Sequence, residues 1–191
     1  MKNLSRRARI TTGAVALAVV GAAAFGTVSA NASAPGAVPA DSVAADSVAA
    51  DSVDSGATTT STHLTIDAAT RAARAALDAA EAERQRVTVA VVDRNGNTVV
   101  TLRGDGAGPQ SYESAERKAF TAVSWNAPTS ELSGRLQQTP NLKDIPGTLF
   151  LGGGVPVSAR SAPIAGIGVA GAPSGTLDEK YARAGAAVLG R

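Results

Sequence analysis

The chain has 191 residues, enough for one domain with extensions and short for two, since domains typically run roughly 100 to 200 residues. Its formal charge is +2, but Lys2, Arg6, Arg7 and Arg9 lie in the first thirty positions, where no acid occurs. The other fourteen basic residues face sixteen acidic ones, a balance that gives no electrostatic footprint for a nucleic-acid binder; the lack of any cysteine excludes disulfides, thiolate metal sites and Cys nucleophiles.

The first thirty residues read as a secretory signal peptide: a basic start, an apolar run from Gly13 to Phe25, and small residues before a cut after Ala30 or Ala32. That run is shorter than the roughly twenty residues needed to cross a bilayer, so a retained anchor is the lesser alternative. Ser5-Arg6-Arg7 resembles the core of a twin-arginine signal, although Arg9 and Ile10 depart from its usual continuation, and ordinary Sec export stays open. Export places the mature protein outside the cell. Residues 31–62 are Ala, Ser, Asp, Pro and Thr, with near-copies of a five-residue Ala-Asp-Ser-Val unit at 40–44, 45–49 and 50–54. One Val per five residues cannot offset the entropy of ordering, so this stretch is predicted to be a disordered tether before a domain over 63–191.

From Thr65 the pattern becomes helical, with Ile66, Ala69, Ala73, Ala76, Leu77 and Ala80 on one face and Asp67, Arg71, Arg74, Asp78, Glu81 and Gln85 on another. Val87 to Val92 and Thr98 to Leu102 predict two strands of a hairpin turning at Asn95-Gly96. After the glycine-rich stretch 104–109, Ser111 or Ser114 can cap a helix running to about Trp125; a short helix follows Pro128 with Thr129 as its N-cap. Thr148 to Leu151, Val155 to Ser158 and Ile164 to Ala170 predict three more strands, and Thr176-x-x-Glu179 reads as a capping box opening the last helix. The predicted class is α+β, an antiparallel sheet of about five strands covered by helices in the order α-β-β-α-α-β-β-β-α.

Gly166-Ile-Gly168-Val-Ala-Gly171 has the spacing of a dinucleotide fingerprint but the wrong context, because Pro173 and Gly175 intervene before any helix and no βαβ unit surrounds it. His63 is the only histidine, which makes a serine-hydrolase triad hard to assemble; it reads as a solvated linker residue or as a ligand. Asp78 with Glu81 and Glu113 with Glu116 are i, i+3 carboxylate pairs able to offer oxygen ligands to ferric iron. Arg74 before Asp78, and Arg117 after Glu113, make surface ion pairs the plainer alternative.

Several stretches together resemble the GlcG/HbpS family. They are Val91-Val92-Asp93-Arg94-Asn95-Gly96, Asp105-Gly106-Ala107, the set Ser114, Ala115, Lys118, Ala119, Thr121 and Ala122, then Asp144-Ile145-Pro146-Gly147, Leu151 to Pro156, Ile164 to Ala172 and Asp178. The resemblance implies a profilin-like fold, a homo-oligomer, haem binding and cooperation with a membrane sensor histidine kinase. Haem axial ligands are usually His, Cys, Met or Tyr, which leaves His63, Tyr112 and Tyr181, plus weaker Lys or Thr donors, once the leader and its Met1 are removed. Tyr181 sits on the apolar face of the last helix and is expected in the core, whereas Tyr112 follows the glycine loop and is expected to be accessible. Glu113, Lys118 and Thr121 lie on the same helix; its first amides and Lys118 suit haem propionates, while a purely structural role for Lys118 and Thr121 is the alternative. A haem-degrading or small-metabolite enzyme on the same fold, and an oligomer that binds only a protein partner, are the competing functions.

Overall fold

The computed structural model describes residues 53–190; the expected signal peptide and most of the expected tether lie outside them. Residues 53–62 are exposed and contain one 3-10 turn, Ser55–Ala57. The domain elements are α1 (Ile66–Ala82), β1 (Thr88–Asp93), β2 (Thr98–Arg103), α2 (Gln110–Trp125), α3 (Thr129–Arg135), β3 (Gly154–Ala159), β4 (Ala162–Ala170) and α4 (Gly175–Ala187), with a 3-10 helix at Pro140–Asp144.

The four strands form one antiparallel sheet in the order β2-β1-β4-β3. β1 and β4 occupy the middle and are covered on both faces, which is why both read as nearly continuous runs of small and β-branched residues rather than as alternation. On one face, α1 and α4 pack against Val89, Val91, Ile167 and Val169, with the ring of Tyr181 fully buried among them. On the other face α2 lies alone, through Ala115, Ala119, Ala122 and Val123, over Ala90, Val92 and Ala170.

That side of the sheet has almost no thickness of side chain. A Cβ on Gly168 would come 2.0 Å from the carbonyl oxygen of Ala115, and one on Gly166 would come 2.1 Å from that of Ala119. Two of the three glycines that mimic a nucleotide fingerprint are thus the surface on which α2 rests, while Gly171 lies against the Arg86 carbonyl.

The α+β class and the antiparallel sheet hold, with two corrections. The sheet has four strands, not about five: Thr148 to Leu151 is not a strand. Leu149 N–H donates to Thr121 Oγ1 at 2.8 Å, the Thr148 carbonyl accepts from Arg117 at 2.7 Å, and Phe150 is buried edge-on against Trp125 at 5.3 Å. Its apolar residues fill a small separate core with Leu132 and Ala127, and α2 takes the hydrogen bonds a neighbouring strand would have taken. Ile66 also departs from expectation. It opens α1 before the helix reaches the sheet, and is 58% exposed.

The caps differ too. Pro109, not a serine, precedes α2, and Ser111 is buried against Thr88 at 2.7 Å. Pro128 precedes α3, while Thr129 turns inward to accept from Gly154 N–H at 2.8 Å. Ser174 caps α4 through Leu177 N–H, leaving Glu179 free to accept from Ser130 N–H at the start of α3 at 3.2 Å. The Asn95-Gly96 turn is as predicted: Gly96 has φ +89°, and Asp93 Oδ1 accepts from the amides of Asn95 and Asn97 at 2.8 and 2.9 Å.

Candidate functional site

Because one face of α2 is pressed on the sheet, its other side has to meet solvent. In its first turn Ser111 faces inward while Tyr112 and Glu113 face solvent, and Tyr112 is 47% exposed. Its hydroxyl makes no hydrogen bond among the described residues. Glu113 and Arg117 form an exposed i, i+4 pair at 3.5 Å, and Arg117 Nη2 continues to the Thr148 carbonyl. Beside them a cleft of about 290 Å³ opens between α2, the β1–β2 hairpin and the turn at Gly147, lined by Glu116, Arg117 and Phe120. Glu116 is steadied by the Thr101 hydroxyl at 3.1 Å.

The other two residues singled out on α2 face inward. Lys118 is 4% exposed, and its ammonium donates to Asp178 Oδ2 at 2.7 Å and to the Val169 carbonyl at 3.0 Å. Burial pushes the Asp178 carboxyl above the usual aspartate range, against the pull of Lys118 and of the Ala172 amide that donates to it at 3.0 Å. Thr121 is fully buried, donating to the Arg117 carbonyl at 2.7 Å and accepting from Leu149. In this geometry Lys118 ties α2 to α4, and Thr121 ties α2 to the loop before β3. Neither reaches the surface on which Tyr112 and Glu113 lie.

His63 is exposed, with its Nε2 2.6 Å from Ser61 Oγ, in the segment that leads into α1. Asp78 pairs with Arg74 at 3.7 Å on the exposed side of α1, and Glu81 lines a polar groove towards β2. Among the described residues no three of His, Cys, Asp and Glu meet closely enough to hold a metal ion, and Asp78 and Glu81 are both exposed. Tyr181 is in the core as expected, its hydroxyl donating to Glu83 at 2.8 Å; burial and the Glu83 carboxylate push the phenol up to about 12. Of the three axial-type side chains, Tyr112 and His63 are accessible and Tyr181 is engaged.

Sequence reasoning did not find Arg117 as a bridge to Thr148, nor Asp178 as the partner of Lys118. Both partners lie far along the chain, 31 and 60 residues away. The only local signal was the i, i+4 spacing of Glu113 and Arg117.

The chain matches the family described as "Haem degrading protein HbpS-like" over residues 64–187. It is 76% identical to HbpS of known crystal structure, with 73% of this chain and 99% of that one covered and a TM-score of 0.72. A Streptomyces reticuli HbpS variant carrying two Glu-to-Asp substitutions is 69% identical, covering 82% and 100%, also with a TM-score of 0.72. A PduOC:haem complex is more distant, at 29% identity, 66% and 94% coverage and a TM-score of 0.61. No curated protein matches. The match spans α1 through α4, including the α2 surface and the glycine floor beneath it, and the chain belongs to the HbpS-like family.

Proposed function

We propose that the mature protein is a secreted haem-binding protein that works as a homo-oligomer alongside a membrane sensor histidine kinase. Membership of a family described by haem chemistry, together with a relative crystallised with haem, supports haem as the ligand. The observation that carries the site is the unpaired phenol of Tyr112 on a solvent-facing helix start, next to the Glu113–Arg117 pair. The donor set fits haem: Tyr112 or His63 can ligate iron, while Arg117 and the first amides of α2 can receive propionates. Bound haem supplies iron-centred redox and ligand-binding chemistry; the chain's part is to orient the macrocycle and to neutralise its carboxylates. Lys118 and Thr121 hold α2 in place beneath that surface. Ferric iron at Asp78 and Glu81 belongs to the same proposal, with its further oxygen ligands coming from outside this pair.

The test is a haemin titration of protein starting at Ser33, followed by absorbance. The expected result is a saturable Soret band near one haem per chain, with Tyr112→Phe weakening binding about tenfold or more, the loss of about 1.4 kcal/mol. The same weakening by His63→Ala instead moves the ligand to His63, and failure to saturate overturns haem binding.

The family description favours a second reading, haem degradation. It requires progressive loss of the Soret band when reductant is added to the complex, whereas a binding protein keeps a stable reduced spectrum.

A further inference from the structure

The C-terminal half of α1 and the edge strand β2 enclose a polar groove. It consists of two adjoining hollows of about 360 and 330 Å³ that share Glu81, Gly104 and Asp105. Four guanidinium groups line it, from Arg74, Arg84, Arg86 and Arg103. The chain beyond residue 30 carries more acid than base, so this is a local concentration of positive charge against the overall balance.

Two of these arginines, Arg103 and Arg86, have side chains held in place. Arg103 Nη2 donates to the Ala107 carbonyl at 2.5 Å. The side chain of Arg86 lies across Gly106, where a Cβ would come 3.0 Å from Arg86 Cδ and 3.3 Å from Nε, so the glycine loop forms its bed. Arg84 follows the C-cap of α1 with φ +58°, the left-handed conformation that glycine adopts freely and a side-chain-bearing residue adopts at a cost. A cation anywhere in the last turn would satisfy the helix dipole without that conformation. Arg84 lines the groove from this position. The side chains of Arg84 and Arg86 make no ion pair or hydrogen bond among the described residues, so both forks are open to a ligand.

We propose that this groove binds a small multivalent oxyanion, of phosphate or carboxylate class, with Arg84 and Arg86 as its principal donors. Planar guanidinium forks match both chemistries through paired N–H···O bonds. Glu81 and Asp105, which line both hollows, repel anionic groups that extend beyond Arg84 and Arg86 toward the second hollow, which restricts the ligand to compact anions.

The experiment is calorimetric titration of the mature protein with pyrophosphate and, separately, with citrate at about 0.15 M salt, where loose surface attraction is largely screened. Saturable binding of one anion per chain is expected, and the tighter probe identifies the class. Arg86→Gln and Arg84→Gly should each weaken it about tenfold. Arg84→Gly, which relieves the left-handed backbone, should melt no lower than the parent. Arg71→Gln, outside the groove on the exposed side of α1, should leave binding unchanged. No saturation with either probe, unchanged binding in both groove variants, or equal weakening by Arg71→Gln would overturn the proposal. The haemin titration addresses Tyr112 and His63, so the two readings fail independently.

Discussion

Lys118 is a lysine at a position that a three-dimensional core would normally give to an apolar residue. Asp178, the Val169 carbonyl and the Ala172 amide together satisfy the pair, and removing one partner leaves the other charged and buried. Lys118→Met should therefore cost about 3–5 kcal/mol, read by urea denaturation at neutral pH. The loss should shrink in acid, because burial already raises the Asp178 carboxyl and a protonated Asp178 needs no counter-charge. Tyr181 offers a second test. Its folded-state value of about 12 lies above the ordinary 10, so the folded chain keeps the proton after the unfolded chain has lost it. The stabilisation is complete below pH 10 and disappears as pH rises to about 12. In Tyr112→Phe, which leaves one tyrosine, tyrosinate absorbance should rise near pH 12, and Tyr181→Phe should flatten the thermal stability profile over that interval. At this scale the sequence was informative about Tyr112 and Tyr181, since position on or off an apolar face decides exposure. It left Lys118 open between a propionate contact and a structural role, because its partner is 60 residues distant.

Elements were legible wherever the pattern was local. The four helices of at least one full turn, the hairpin and the strands β3 and β4 all follow from periodicity and turn residues, with boundaries displaced by a residue or two. The segment Thr148 to Leu151 has strand composition but not strand partners: α2 claims its backbone through Thr121 and Arg117, and Phe150 packs with Trp125. Composition reports that a stretch is apolar, not which neighbour takes its hydrogen bonds. The contact between α2 and β4 is the tightest in the domain and yields a sharp expectation. Gly168→Ala would place a methyl 2.0 Å from a helix carbonyl, so the helix must lift from the sheet. Destabilisation of about 3 kcal/mol or more is expected from overpacking a site that cannot yield, measured by thermal melting. Ala90→Gly, which removes a methyl from the same interface, should be milder.

At the scale of the whole domain, α2 stands alone on one face of the sheet while α1 and α4 share the other, and the proposed haem surface and the arginine groove draw on different side chains, Tyr112 and Arg117 in one and Arg84 and Arg86 in the other. The proposed export belongs to this scale as well. In an exporting host the mature protein should begin at Asn31 or Ser33, read by intact mass; replacing Arg6 and Arg7 by Lys should stop processing on the twin-arginine route and leave Sec processing intact. By itself the sequence determined the α+β class, the hairpin, the rejection of a nucleotide site and the accessibility of Tyr112, because each rests on patterns within a few residues of one another. The strand order, the loss of the fifth strand, the inward turn of Lys118 and Thr121 and the gathering of four arginines were decided only by tertiary structure. The strand order rests on the antiparallel pairing of 88–93 with 165–170, and Lys118 and Thr121 turn to partners 60 and 28 residues away; no local preference encodes which distant segment a residue will meet.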